Sequence, residues 1–310
     1  MRSAFFQALL ELAESDERIY LLVGDLGFGV VEPFRQKFPK RFLNVGVAEQ
    51  NLTGLAAGIA LTGGIVFTYS IANFPVLRCL EHIRNDVCYH RANVKIVSIG
   101  GGYSYGALGM THHSTEDIAI LRALPEMTVV APGDPYEARE ATRAVAAHQG
   151  PCYLRLGRAG EPAVHSSRVD FQLGRAIQIR AGDDLTLIST GALLGTAVTV
   201  ADMLRSEGVS TRVLSMHTVK PLDVDAVLCA ARETRAVITL EEHSIIGGLG
   251  GAVAECLAEE GHCKVPFRRI GIPSSFCAQF GSQDYLRSRC GLSPDRIIAF
   301  LEPMLQAVRS

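Results

Sequence analysis

Glu49 stands at a corner where a carboxylate can be put to chemical use. An apolar run, Phe42–Val45, reads as a strand and passes through Gly46 into a helical pattern spanning Glu49–Leu61. Glu49 then falls in the helix's first turn, where free backbone N–H groups and the positive dipole end favour an anion. A carboxylate fixed there suits holding a ring nitrogen of a bound heterocycle. Dipole complementation alone also explains a glutamate at this position, so both readings stand. His112 and His113 form a second candidate group. A histidine can donate to a developing alkoxide and shuttle a proton, or serve only to shape a loop. Neighbours on an extended segment point in opposite directions, so the pair is not expected to share a metal.

The elements around these residues alternate. Strands are expected at Ile19–Val23, Phe42–Val45, Ile65–Tyr69, Val94–Ser98, Met127–Val130 and Tyr153–Leu156. Helices are expected at Ala4–Glu14, Glu49–Leu61, Phe74–His90, Asp117–Ala123 and Pro135–His148. Such alternation implies a mainly parallel sheet covered by helices. A polar stretch near Ala159–Asp170 reads as a linker. A second unit follows, with strands near Leu185–Ser189, Arg212–Ser215, Val237–Glu241 and Phe267–Ile270. Its helices are near Leu194–Glu207, Asp223–Arg232, Gly248–Glu259 and Pro294–Ala307. The fold class is therefore α/β in two domains, 1–160 and 171–310, each a mainly parallel sheet flanked by helices. Open sheets of this kind bind ligands beyond the carboxyl ends of their strands. Asp25, Glu49, Tyr69 to Phe74, the loop Gly100–Ser114 and Arg158 all lie at such ends.

Composition narrows the class. At 310 residues, 48% hydrophobic and 20% charged, the chain suits two globular domains. A net charge of -2 gives no electrostatic reason to expect nucleic acid. No apolar run approaches the roughly 20 residues of a membrane span. The amino terminus enters an amphipathic helix directly, without a signal peptide's pattern. The eight cysteines form no CxxC pair, which argues against a zinc or redox motif and makes a reducing cytoplasm the default.

Six segments, in order, resemble the transketolase family. RSAFFQALLELAESDERIYLLVGDLG (from Arg2) is similar to the opening of its pyrimidine-binding domain, and LNVGVAEQN (from Leu43) to the glutamate corner. GALGMTHHSTEDIAILRALPEMTVVAPGDPYEA (from Gly106) resembles the stretch around its THQ motif, and LRLGR (Leu154–Arg158) the closing strand. VKPLD (from Val219) and TLEEHSIIGGLGGAVAE (from Thr239) resemble the carboxy-terminal domain. The resemblance implies thiamine diphosphate chemistry. Glu49 would hold N1′ of the aminopyrimidine so that thiazolium C2 can lose its proton. Tyr69 and Phe74 would supply the aromatic against that ring, although either could be ordinary core. His112 matches the THQ histidine near the reacting carbonyl. Arg158 matches a sugar-phosphate arginine, and Arg78 stands where deoxyxylulose-phosphate synthases carry a second, with a surface ion pair as its alternative. Asp25 is a further cofactor-side candidate.

The departures are informative. Leu108 replaces the aspartate that reads a substrate hydroxyl, His113 replaces the usual glutamine, and Gly100-Gly101-Gly102 lies where typical members carry a further histidine. These changes point to an unusual ketose or acceptor. The GDG motif that holds Mg²⁺ and the diphosphate is absent; Gly182-Asp183-Asp184 lacks its second glycine. The chain thus resembles the carboxy-terminal half of a split transketolase, with metal ligands expected from a GDG-bearing partner subunit in a heterotetramer and sugars or sugar phosphates as substrates. The competing readings are the β subunit of a 2-oxo acid dehydrogenase E1 component, a deoxyxylulose-phosphate-synthase-like enzyme, a structural or regulatory subunit, and a flavodoxin-like module. The last is disfavoured because no GxGxxG or P-loop pattern is present.

Overall fold

The computed structural model of the protein describes residues 1–261 and 264–309. The last residue of the expected 171–310 domain, and residues 262 and 263 within it, lie outside the described residues. The first unit holds β1 (Ile19–Val23), β2 (Phe42–Asn44), β3 (Ile65–Ile71), β4 (Val94–Ile99), β5 (Thr128–Val130) and β6 (Cys152–Leu156). The second holds β7 (Ile177–Arg180), β8 (Leu185–Thr190), β9 (Thr211–Ser215), β10 (Thr218–Lys220), β11 (Ala236–Ser244) and β12 (Phe267–Ile272).

Two sheets result, of seven strands in the order β10-β5-β6-β4-β3-β1-β2 and of five in the order β12-β11-β8-β9-β7. All pairings are parallel except β10 with β5 and β7 with β9, which are antiparallel. The two-domain α/β expectation holds, with one addition. β10 comes from the second half of the chain and completes the first half's sheet, Thr218 lying opposite Val130.

Both faces of the seven-stranded sheet are covered, as parallel sheets require. Leu21, Phe67 and Tyr69 join Phe5 and Leu9 on one face. Leu22, Val66 and Val94 pack with Leu52, Ala56 and Ile83 on the other. This period-two alternation sends neighbouring strand residues to opposite faces.

The long helix expected over Phe74–His90 is not one helix. A turn at Phe74–Leu77 and a short turn at Leu80–His82 are followed by a π-helical stretch, Ile83–Cys88. The Tyr89 N–H donates to the Arg84 carbonyl, five residues back, at 3.0 Å. The widened coil sends Ile83, Val87 and Cys88 into the core. The break also frees the Arg78 carbonyl, which accepts from Gln50 Nε2 at 3.0 Å. Helices Glu32–Lys37 and Gln283–Arg289 were not expected; both are short, and the first carries Pro33. Among the described residues, no helix is long and apolar enough to cross a membrane.

Candidate active site

The corner expected at Glu49 forms. The helix Glu49–Leu61 starts there, and the carboxylate is 1% exposed. A buried anion needs donors, and two side chains supply them. Ser70 Oγ donates to Oε1 at 3.1 Å, and Arg78 Nη1 donates to Oε2 at 3.0 Å. Gly24 lies beside this group: a Cβ there would stand 3.5 Å from Oε1. Each carboxylate oxygen has a second lone pair, so the group can accept further hydrogen bonds.

Ser70 reaches Glu49 because it lies one residue before the end of β3 with its side chain on the Glu49 side, and by alternation Tyr69 points the other way. The Tyr69 ring is 1% exposed and packs on Phe5 and Phe6. The expectation that it faces a cofactor is therefore corrected: it belongs to the opposite core. Phe74 is different. Its half-buried ring meets His112 edge-on, with centroids 5.1 Å apart. The Arg78 guanidinium lies 4.7 Å from the Phe74 centroid on its way to Glu49. Arg78 therefore departs from the expected phosphate-binding placement, because its charge is engaged with Glu49.

Beyond His112 the row continues. The Tyr105 ring lies 6.5 Å from His112, and the exposed Arg158 guanidinium lies 5.1 Å from Tyr105. Glu49, Arg78, Phe74, His112, Tyr105 and Arg158 thus form one line across the strand ends. Leu108 and Met110, on short 3-10 turns beside His112, are about half exposed, at 53% and 51%. Asp25, next to Gly24, is exposed. It exchanges two hydrogen bonds with Asn44 at the end of the β1–β2 pair.

A buried network that no sequence motif announces fixes the His112 loop. Arg155 Nε donates to Asp117 Oδ2 at 2.7 Å, and Arg155 Nη2 donates to the Ser114 carbonyl at 2.8 Å and the Glu242 carbonyl at 3.1 Å. Burial would raise the Asp117 carboxyl, but the Arg155 charge, His243 and the hydrogen bonds from Arg155 and Tyr153 together hold the group below its ordinary value. Glu242, from β11, accepts from the Tyr103 N–H at 2.9 Å and from Gln283 and Arg287. The glycine run is explained here. A Cβ on Gly101 would come within 2.6 Å of Arg155, and one on Gly102 within 2.5 Å of Glu242. The available signal was charge inside fully buried strands, at Arg155 and in the Glu241–Glu242–His243 run.

Among the described residues, no group of three or more His, Cys, Asp or Glu side chains could hold a metal ion. Residues 1–160 match the transketolase pyrimidine binding domain, and residues 174–297 match the transketolase C-terminal domain. The chain is 41% identical to a 6-deoxy-6-sulfo-D-fructose transketolase subunit of Clostridium sp. (strain MSTE9), covering 96% of this chain and 92% of the relative. It is 42% identical to an apulose-4-phosphate transketolase subunit of Phocaeicola vulgatus, covering 88% of this chain and 87% of the relative. A solved structure described as a split gene transketolase, inactive beta4 tetramer, superimposes with a TM-score of 0.89 at 38% identity, covering 98% of this chain and 97% of that one. Relatives of subunit length thus match nearly all of both units: the chain belongs to the transketolase family, as a split-type subunit of a thiamine diphosphate-dependent transferase that moves two-carbon ketol units.

Proposed function

We propose that this subunit supplies the pyrimidine-binding and substrate-facing half of the active site. A partner subunit would supply the diphosphate and Mg²⁺ half, the two assembling as a cytoplasmic heterotetramer. The observation that carries this reading is the Glu49 group: a buried, doubly hydrogen-bonded carboxylate beside the half-exposed ring of Phe74. Its remaining acceptor lone pairs fit the aminopyrimidine end of the cofactor. The metal–diphosphate end has no counterpart, because no GDG sequence occurs.

When bound, thiamine diphosphate would supply the nucleophilic carbon for ketol transfer. Glu49 would hold the ring's N1′. Phe74 would pack against the ring. His112 donates to the substrate oxygen as it gains charge and takes the proton back. Arg158, exposed at the far end of the line, takes an anionic group of the sugar. Leu108 offers no acceptor, which favours a ketose modified near that carbon. The two named relatives carry modified ketoses in their names, in keeping with this choice.

Exposed apolar side chains beside the site support a docking surface for the partner. Val47 is 73% exposed and Phe276 82%. Mixing the purified chain with a GDG-bearing partner and Mg²⁺ should produce ketol transfer that neither chain shows alone. Robust turnover by this chain unaided would overturn the split assignment.

A further inference from the structure

A small cavity of about 100 Å³ opens beside His112, lined by Asn73, Leu77, Tyr103, Met110, His113 and Phe276 among others. Two polar side chains in its wall are more than nine-tenths buried: His113 is 5% exposed and Asn73 is 8% exposed. Each carries a buried atom without a partner, His113 Nε2 and Asn73 Oδ1.

Both orphaned atoms are acceptors. Asn73 Nδ2 donates to the Thr111 carbonyl at 2.7 Å, which fixes the amide's orientation and leaves Oδ1 turned away. The His113 ring hydrogen-bonds the Gly106 backbone, and burial pushes its protonation below the ordinary histidine range. A neutral ring that donates its one N–H to a carbonyl keeps its other nitrogen as an acceptor. Glu116, exposed at the lining, adds negative charge and no donor. The cavity is therefore unfit for phosphate or carboxylate. It fits a small neutral group that donates hydrogen bonds, between the apolar side chains of Leu77, Met110 and Phe276 and the hydroxyl-bearing Thr111, Thr115 and Ser275.

We propose that Asn73 and His113 form a hydroxyl-reading subsite of the ketol-transfer site, taking a sugar hydroxyl distal to the reacting carbonyl. This rests on the functional reading above. Its neighbours place it: Asn73 directly precedes Phe74, and His113 directly follows His112. Leu108 lacks the acceptor expected at its own position, and these two atoms supply acceptors elsewhere in the same loop region. Phe276 carries the second domain into the pocket wall, so that domain takes part in substrate choice.

The test uses the complex assembled with its partner, with D-fructose 6-phosphate and its 4-deoxy and 5-deoxy analogues as probes. Wild type should discriminate against one analogue by roughly tenfold to a hundredfold in kcat/KM, the cost of leaving buried acceptors unpaired. His113→Leu should bring that ratio close to one by slowing the parent sugar, leaving the deoxy analogue little changed. Met110→Trp, which narrows the cavity from an exposed position, should do the same if His113→Leu does not fold. Calorimetric binding of the same probes to Glu49→Gln complexes gives a readout independent of turnover and should show the same loss. Unchanged ratios in folded, active variants, or no discrimination by wild type, would overturn the subsite and leave only water there. Failure of wild type to turn over any ketose would sink the functional reading itself, and the subsite with it.

Discussion

Arg78 donates to Glu49 Oε2 at 3.0 Å while its guanidinium lies 4.7 Å from the Phe74 centroid. One cation therefore caps the buried carboxylate and covers the aromatic ring beside it. The broken helix is what puts it there: a continuous helix through residue 78 would have used the Arg78 carbonyl internally, whereas here Gln50 takes it. Arg78→Ala should leave Glu49 with only Ser70 as a side-chain donor. About half of the Arg78 side chain stays in solvent, so the loss is about 1–2 kcal/mol, below that of a fully buried pair. Arg78→Lys, which keeps charge but not the planar stack, should recover part of it. Denaturant melting checks this, and an Arg78→Ala chain as stable as wild type would refute the capping role.

Glu49→Gln keeps the size of the side chain and the fold but removes the negative charge. In the assembled complex, hydrogen–deuterium exchange at cofactor C2 should slow by about a hundredfold or more, the usual scale for losing positioned acid–base assistance. An exchange rate equal to wild type would remove Glu49 from its assigned role.

Leu108→Asp tests the missing acceptor directly. The side chain is 53% exposed, so the fold should tolerate the change. Ordinary ketose phosphates should gain roughly tenfold or more in kcat/KM from a restored charge-assisted hydrogen bond. If xylulose and fructose phosphates are already good donors and Leu108→Asp changes nothing, the substitution is neutral.

A pH effect on stability follows from the connector between the two units. His165 Nε2 lies 3.0 Å from Glu137 Oε1, and the hydrogen bond to Glu137 raises the imidazole above its ordinary 6.5. Burial would raise Glu137, but the His165 hydrogen bond and other partners hold it below 4.5. The histidine's contribution is complete below its unfolded value and is lost as pH rises through the raised folded value. The melting-temperature gap between wild type and His165→Gln should therefore be widest below the ordinary imidazole value of 6.5 and shrink as pH rises above it. A gap that grows with pH would contradict the pairing.

Much of the site was legible because backbone periodicity and element ends determine it. The positions of Glu49 at a strand-to-helix corner, His112 in the loop after β4 and Arg158 just past the end of β6 all follow from local pattern. Tyr69 and Arg78 did not. Position in a motif points Tyr69 at the cofactor, but alternation along β3 turns Ser70 toward Glu49 and Tyr69 away. Arg78 depended on a helix break that its apolar pattern does not announce, because the π-helical stretch buries the same residue types as an α-helix would. Arg155, Asp117 and Glu242 form a network across sequence separations that no local window spans. Asn73 needed its partner at Thr111 before its oxygen could be recognised as unpaired.

β10 has a consequence for how the chain can be made. The strand that closes the β5 edge emerges from the ribosome only after β6 through β9 have been synthesised, so the first sheet waits with a bare, fully buried-type strand exposed. A nascent chain paused before Thr218, or a fragment cut near residue 170, offers the backbone of Thr128–Val130 to any passing strand. The linker between the matched domains is thus a poor site for truncation or for a flexible tag: each half would be released without a boundary the other supplies, the first prone to aggregate and the second carrying an orphaned strand.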